Sequence, residues 1–300
     1  MKKCDFCGSI MNFIYNMNNY EIVQCDKCLT STVLSMPQDD EIEDFYSGFM
    51  FCANASNKSI FEDETFNKWF DSFNLGCNAK MLDVGGGGGF FSYAFEYFDK
   101  GDSYYIDIDN EACEFAAQEL GLKNVINDNV KNLKDRTKLK FDFIYARHLI
   151  EHLKDPLEFI DSCIELLTAS GVLIIQFPNG VSFEYLGYPE LLKSRVKTIQ
   201  SSNRNFSRIE TLLTICSNKI AHGIDPIRHL WAITPKGISS YLSGKDVDFE
   251  IKNAPLTDPV YSPYYKAKGV YNKVRSSIIN NSLVKINGGT HLIVIIKRKQ

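Results

Sequence analysis

Residues 81–90 read Met81-Leu82-Asp83-Val84-Gly85-Gly86-Gly87-Gly88-Gly89-Phe90, an apolar segment followed by five consecutive glycines. The apolar residues predict a buried strand, and the aromatic residues after the glycines begin a helical pattern. Glycine has no Cβ, so the backbone of such a loop can approach a ligand closely. In open α/β sheets, ligands bind where a strand of this kind ends. The segment therefore predicts a strand, a ligand-binding loop and a helix.

Short apolar strands alternate with helices on the C-terminal side of this segment. Strands are predicted at 80–84, 103–108, 124–126, 141–146 and 171–177, and helices at 90–98, 111–120 and 156–168. Two more strands are expected near the end, at 248–253 and 291–297. This alternation predicts an α/β, Rossmann-like fold whose mostly parallel sheet is covered by helices.

The glycine spacing excludes two common classes of nucleotide-binding protein. A dinucleotide-binding Gly-x-Gly-x-x-Gly fingerprint would need glycine where Phe90 or Phe91 stands. A phosphate-binding P-loop would need Gly-Lys-Ser/Thr after the glycines, and that sequence is missing. The loop therefore belongs to another kind of cofactor site.

Four further blocks follow the glycine segment in a fixed order. They are Tyr105-Ile106-Asp107-Ile108-Asp109, then Asn127-Asp128-Asn129, then the stretch 141–156, and finally 166–179 with its Gln176-Phe177-Pro178-Asn179 ending. With Leu82-Asp83-Val84-Gly85-x-Gly87-x-Gly89 as motif I, the chain resembles class I S-adenosylmethionine-dependent methyltransferases over roughly residues 78–180. The resemblance implies an enzyme of that class.

The resemblance also implies which residues bind S-adenosylmethionine. In the family, an acid at the position of Asp107 binds the ribose hydroxyls, with Asp109 as the alternative here, and an Asp near the position of Asp128 lies by the adenine amine. The implied cofactor-binding residues are Asp83, Gly85, Gly87, Gly89, Asp107, Ile108, Asp128 and Asn129.

Four of the nine cysteines form two Cys-x-x-Cys pairs near the N-terminus, Cys4 with Cys7 and Cys25 with Cys28. Each pair can direct two sulfurs at one ion, and the residues between the pairs suit a small hairpin. This spacing predicts a tetrahedral Cys4 site for Zn²⁺. Four thiolates leave no open coordination position, so the expected zinc is structural.

A competing motif overlaps the fourth strand block. His148-Leu149-Ile150-Glu151-His152 matches the His-x-x-Glu-His pattern of inverted zinc proteases. Such a site needs its two histidines on a long helix, whereas the residues before His148 are predicted to form a strand. We therefore favour the methyltransferase interpretation. Structural and catalytic roles stay open for both His148 and His152.

A third histidine, His229, follows the polar stretch 180–228. The zinc module, the core and the His229-Leu230 block together resemble bacterial sugar methyltransferases. That resemblance implies a sugar, nucleotide-sugar or small polar metabolite as acceptor, with His229 as the base. Arg228 stands where the carbon-methylating members have Glu, so the methylated atom stays open. The tyrosines Tyr46, Tyr261, Tyr264 and Tyr265 are expected to be aromatic filler or to line the acceptor pocket.

The charge balance bears on the choice of partner. Thirty-three Lys and Arg against 37 Asp and Glu give a net charge of −4 over 300 residues. Nucleic-acid-binding proteins usually carry a basic excess, so the alternative of a zinc-module rRNA methyltransferase is disfavoured. The apolar runs are too short to span a bilayer, and a cytoplasmic location is expected. The oligomeric state stays open.

These observations predict five regions. Residues 1–36 form the zinc-binding module and 37–76 a helical linker. Residues 77–180 form the S-adenosylmethionine-binding core and 181–228 a helical cap insertion. Residues 229–300 complete the methyltransferase domain.

Overall fold

The computed structural model describes residues 2–47, 54–184, 189–200, 207–217, 223–264 and 288–299. The strands, in chain order, are β1 (Met11–Met17), β2 (Tyr20–Cys25), β3 (Ser31–Val33), β4 (Ala79–Val84), β5 (Gly101–Asp107), β6 (Asn124–Asn127), β7 (Phe141–Arg147), β8 (Leu167–Pro178), β9 (Trp231–Ala232), β10 (Val247–Ala254) and β11 (His291–Arg298). The helices are α1 (Asp39–Ser47), α2 (Lys58–Phe61), α3 (Glu64–Asp71), α4 (Phe90–Tyr97), α5 (Asn110–Gln118), α6 (Leu133–Arg136), α7 (Pro156–Leu166), α8 (Pro189–Gln200), α9 (Arg208–Ser217) and α10 (Pro235–Leu242).

The large sheet has the strand order β10-β11-β8-β7-β4-β5-β6. The five strands from β8 to β6 run parallel, and β11 and β10 are antiparallel at one edge. The glycine-loop strand β4 lies among the parallel strands, and the apolar stretch of β8 from Val172 to Phe177 is buried throughout. The predicted Rossmann-like fold with a mostly parallel sheet is confirmed.

One predicted helix is two helices in the structure. The aromatic spacing of residues 59–73 predicts a single helix, but α2 ends at Phe61 and α3 begins at Glu64. Between them the Asp63 side chain accepts a hydrogen bond of 2.8 Å from the Thr65 amide. A carboxylate in this N-cap position stabilises a new helix start, so the chain turns there.

The second sheet connects the N-terminal module to a distant segment. Its order is β1-β2-β3-β9, and β9 comes from residues 231–232. Thr32 Oγ1 donates to the Leu230 carbonyl at 2.9 Å, and Thr234 Oγ1 donates to the Cys28 carbonyl at 2.6 Å. The segment that follows His229 is thereby fixed against the cysteine-containing sheet.

The predicted cap region contains α8 and α9, and part of it lies outside the described residues. The five predicted region boundaries stay predictions. Among the described residues, no helix combines the length and apolar composition needed to cross a bilayer.

Candidate active site

The backbone of the glycine loop has a conformation that residues with side chains rarely adopt. Gly85, Gly87 and Gly89 have φ values of +64°, +53° and +68°. A Cβ on Gly86 would lie 2.6 Å from the Tyr105 ring, whereas one on Gly87 would meet nothing within 4 Å. Gly86 is therefore required by packing, and the backbone at Gly87 faces open space in which a cofactor can approach it.

Residues of β5 hold this loop in place. Tyr105 donates its hydroxyl to the Gly87 carbonyl at 2.7 Å, and the Gly87 amide donates to Asp107 Oδ2 at 2.8 Å. Asp107 Oδ1 accepts from the Asp109 amide at 3.0 Å. Burial raises the pKa of Asp107, and these backbone donors act in the opposite direction. A carboxylate has further lone pairs, so Asp107 can still accept hydrogen bonds from hydroxyl groups.

The loop contact of Tyr105 gives a testable prediction. Tyr105→Phe removes the hydrogen bond to Gly87 and leaves the partly buried Gly87 carbonyl without that donor. We expect the free energy of unfolding to fall by about 1 kcal/mol and S-adenosylhomocysteine to bind more weakly. Denaturant titration and calorimetry measure the two effects. Tyr104→Phe, at the neighbouring position of β5, is the control and should change neither; equal effects from both variants would contradict the proposed support.

Asp109, the alternative candidate for binding the ribose hydroxyls, caps a helix in the structure. Its Oδ1 accepts from the Glu111 and Ala112 amides at 2.8 and 3.1 Å, so Asp109 is the N-cap of α5. The adjacent Ile108 exposes about half of its surface at the same edge of the sheet. The geometry thus favours Asp107 over Asp109 as the ribose-binding residue, an assignment that stays a prediction.

The other predicted cofactor residues lie nearby. Asp83 is buried under the loop and accepts from Ser92 Oγ at 3.0 Å; burial raises its pKa to about 7 despite this hydrogen bond. The Asp128 amide donates to the Asp107 carbonyl at 3.0 Å, which places Asp128 beside Asp107. Asn129 Oδ1 accepts from the Lys131 amide and caps a short 3₁₀ turn. The predicted cofactor residues therefore lie together at the carboxyl edge of β4, β5 and β6.

The His-x-x-Glu-His sequence does not form a protease helix. His148 follows β7 with φ +50°, and residues 149–152 form a turn before α7. A Cβ on Gly85 would lie 3.0 Å from Leu149 Cδ1, so this turn packs against the glycine loop. His148 Nδ1 lies 3.1 Å from Glu151 Oε1. The turn places its polar side chains next to the cofactor edge instead of on one helix face.

His229 is brought to the same place from a distant part of the chain. The amides of Leu230 and Trp231 donate to the Glu151 carbonyl at 2.8 and 3.2 Å. The rings of His152 and His229 have their centroids 4.8 Å apart. Burial lowers the pKa of His152 to about 4 and that of His148 to about 3. All three predicted histidines therefore lie around Glu151, and at neutral pH His148 and His152 are uncharged.

Two polar residues of this site were not predicted as site residues. Glu151 is 2% exposed, and its Oε2 has no hydrogen-bond partner among the described residues. Arg147 also has a buried Nε without such a partner, and its guanidinium lies 5.9 Å from the centre of the Phe91 ring. A charged residue within an apolar run, as in Ile150-Glu151, is the sequence signal that could have identified the buried acid.

The predicted tyrosines are divided between the site and the aromatic core. The Tyr46 hydroxyl lies 2.8 Å from His152 Nδ1. Tyr261 accepts a hydrogen bond of 2.9 Å from Trp69 Nε1 and belongs to the aromatic packing. Tyr264 packs edge-on against Phe61, and Tyr265 lies outside the described residues.

The four N-terminal cysteines converge in a separate cluster. Their sulfurs lie within 4.8 Å of one another, with Cys4 Sγ 3.6 Å from Cys28 Sγ and Cys7 Sγ 3.4 Å from Cys25 Sγ. Four thiolates about 2.3 Å from a tetrahedral Zn²⁺ would be about 3.8 Å apart. The cluster therefore fits one zinc ion.

Comparison with curated proteins identifies relatives for part of the chain. The ubiquinone biosynthesis O-methyltransferase of Actinobacillus pleuropneumoniae serotype 5b is 36% identical over 115 residues, which cover 36% of this chain and 49% of that protein. The enzyme of the same name from Haemophilus ducreyi is 33% identical over 149 residues, 46% of this chain and 62% of that protein. The chain thus spans about half the length of the curated relatives it matches.

Solved structures also resemble this chain. The plantazolicin methyltransferase BamL, in complex with a triazolic desmethylPZN analogue and SAH, aligns with a TM-score of 0.47 at 18% identity over 88% of this chain and 92% of its own. YcgJ of Bacillus subtilis aligns with a TM-score of 0.45 at 14% identity over 79% and 99%.

The family assignment rests on the match over most of the chain. The methyltransferase domain family matches residues 50–241, which include the glycine loop, the Asp107 strand end and all three histidines of the cluster. The chain therefore belongs to the methyltransferase domain family, and the predicted class I S-adenosylmethionine-dependent methyltransferase is confirmed.

Proposed function

We propose that this protein transfers a methyl group from S-adenosylmethionine to a hydroxyl oxygen of a small polar acceptor, in first place a sugar or nucleotide-sugar. The observation that carries the proposal is the cluster of His148, Glu151, His152 and His229 beside the glycine loop. Proton-accepting side chains at this edge are what a hydroxyl acceptor requires, since a neutral hydroxyl is a poor nucleophile.

The proposed cofactor residues are those at the carboxyl edge of β4 to β6. Asp107 would accept the ribose hydroxyls, and the open backbone at Gly87 would pass beside the cofactor. When bound, S-adenosylmethionine supplies a methyl group on a positively charged sulfur, and the C–S bond breaks as the acceptor oxygen forms the C–O bond in line.

His229 is the proposed proton acceptor. Its Nδ1 lies 2.9 Å from the Gly223 carbonyl, which can only accept a hydrogen bond. The ring proton is therefore on Nδ1, and Nε2 carries the lone pair. The lone pair can take the proton of an acceptor hydroxyl, and His152 and His148 would then orient the acceptor around Glu151.

Three observations bear on the chemical class of the acceptor. The names of the curated relatives state O-methylation, which favours oxygen as the methylated atom. The sugar class comes from the sequence resemblance and stays a prediction. The net charge of −4 disfavours the alternative of an rRNA acceptor.

The acceptor class is tested with methyl-labelled S-adenosylmethionine, the purified protein and a host-cell extract. After incubation the label is divided into small-molecule, nuclease-sensitive and protein fractions. We expect label in small molecules, and a panel of nucleotide-sugars, free sugars and phenols then defines the class. Transfer to phenols alone would reject the sugar proposal, and nuclease-sensitive label would favour the rRNA alternative.

We also propose that the cysteine cluster holds a structural Zn²⁺. Cys25→Ser should release the zinc and lower the melting temperature, because the small sheet then loses the ion that joins its two Cys-x-x-Cys turns. Elemental analysis and thermal unfolding measure both effects. Cys77→Ser is the matched control, since Cys77 is exposed and outside the cluster; full zinc content in Cys25→Ser would contradict the proposal.

The five predicted regions and the cytoplasmic location are proposals as well. The pairing of β3 with β9 supports a division in which residues after 228 return to the N-terminal module and the core. A cluster of four reduced thiols suits a reducing compartment.

A further inference from the structure

Three side chains beside the proposed acceptor position form a compact set of possible metal ligands. One ligand atom from each of Glu151, His152 and His229 lies within 4.8 Å of the other two. His152 Nε2 is 3.7 Å from Glu151 Oε1. The set is distinct from the cysteine cluster, and it includes Glu151 and His152 of the His-x-x-Glu-His motif, which does not form a protease helix in this fold.

The hydrogen bonds of the two imidazoles show which nitrogens are available. His152 Nδ1 lies 2.5 Å from the Arg228 carbonyl, and His229 Nδ1 lies 2.9 Å from the Gly223 carbonyl. Because carbonyl oxygens only accept, both Nδ1 atoms carry protons and both Nε2 atoms carry lone pairs. The Tyr46 hydroxyl oxygen, 2.8 Å from His152 Nδ1, then accepts from the same N–H. Metal-binding histidines typically donate their second ring nitrogen to a carbonyl or carboxylate in this way.

The Glu151 carboxyl group lies next to the two imidazoles and would add a negative charge there. It is buried, and its Oε2 has no hydrogen-bond partner in the described part of the chain. An ionised carboxylate only accepts, and His148 Nδ1 can donate to its Oε1. Within the described residues, Oε2 and the two Nε2 atoms have lone pairs and no donor to share between them. Such a buried arrangement is costly unless a cation or a proton lies at its centre.

The backbone fixes these three residues relative to one another. The Glu151 carbonyl accepts from the amides of Leu230 and Trp231, and the His229 amide donates to the Asp225 carbonyl at 2.7 Å. His148, the fourth member of the cluster, lies with its Nδ1 3.1 Å from Glu151 Oε1. Little side-chain or loop ordering is then needed to bind a ligand, which favours binding.

We propose that Glu151, His152 and His229 bind one divalent transition-metal cation. Two imidazoles and one carboxylate form a ligand set used by catalytic zinc and by other first-row metals, and three protein ligands leave coordination positions open. The inference rests on the proposed function, because the acceptor hydroxyl would occupy an open position. There the cation lowers the pKa of the hydroxyl, as it does for bound water, and the proton leaves to solvent. In the metal-loaded protein, the cation thus replaces His229 Nε2 as the group that activates the oxygen.

The test uses Co²⁺ added to the zinc-loaded full-length protein, without acceptor or cofactor. We expect visible d–d absorption that saturates at one equivalent and lacks the thiolate charge-transfer band of a cysteine site, since the ligands are nitrogen and oxygen. Glu151→Gln and His229→Ala should each weaken Co²⁺ binding by at least about tenfold, because each removes a ligand. Glu158→Gln, an exposed glutamate on α7, is the matched control and should bind Co²⁺ as the wild type does.

Absence of saturable Co²⁺ absorption, or unchanged binding in both ligand variants, would overturn the metal site. Thermal unfolding of each variant verifies that the fold is retained. Methylation assays separate the two proposals. Methyl transfer without Co²⁺ binding leaves the proposed function intact and rejects the metal, whereas Co²⁺ binding without transfer to any small molecule supports the metal site and rejects the proposed function.

Discussion

His229→Ala is expected to lower kcat by at least about a hundredfold while leaving the affinity for S-adenosylhomocysteine unchanged. General-base assistance contributes about 10²- to 10⁴-fold to such reactions. The variant removes the imidazole ring, so we expect the same loss of turnover whether Nε2 takes the proton directly or binds a cation. His229 contacts the 223–225 segment and the His152 ring, so we expect the cofactor site to be retained. Single-turnover methyl transfer and calorimetry measure the two quantities.

The control for this variant is Lys236→Ala, an exposed position on α10. It should retain wild-type turnover. Full activity of His229→Ala would place the activating group elsewhere in the cluster. Equal loss of turnover and cofactor affinity would show that the 225–229 loop supports the cofactor site instead of the acceptor.

Asp107→Ala is expected to weaken the binding of S-adenosylhomocysteine by about ten- to a hundredfold. Hydrogen bonds to a charged group contribute about 1.5–3 kcal/mol, which corresponds to that range. The variant also removes the acceptor of the Gly87 amide, so part of the effect would come from the loop. Calorimetry with a second ligand, an analogue without ribose hydroxyls, separates these causes. If Asp107 binds the hydroxyls, the variant should bind both ligands with similar affinity.

Asp109→Ala is the matched control for Asp107. It removes the N-cap of α5 and should lower the free energy of unfolding by about 1 kcal/mol with unchanged cofactor affinity. A larger loss of affinity in Asp109→Ala than in Asp107→Ala would reverse the ribose assignment.

The cofactor half of the site could be predicted because it is local in sequence. The strand that ends in Gly85 and the strand that ends in Asp107 are neighbours in the parallel sheet, so their carboxyl ends meet at one edge. The distinction between Asp107 and Asp109 needed the structure, since both acids follow the same strand and only the start of α5 shows which one is the cap.

The acceptor half depends on contacts between distant residues, which sequence patterns do not reveal. His229 reaches Glu151 because β9 pairs with β3, a contact across 198 residues between Thr32 and Leu230. The chemistry of histidine marks these residues in the sequence, whereas Glu151 stands out there only as part of a protease-like motif. The burial of its carboxyl group, whose Oε2 has no hydrogen-bond partner among the described residues, is a property of the fold.

The most direct test of the central claim is the carbon-13 NMR spectrum of the methylated small-molecule product. The protein is incubated with S-adenosylmethionine labelled at the methyl carbon, the candidate acceptors and, in parallel, the His229→Ala variant. The account predicts a methoxy carbon signal in the small-molecule fraction that is lost in the variant. A labelled methyl on nitrogen or carbon, or label found in RNA, would contradict it.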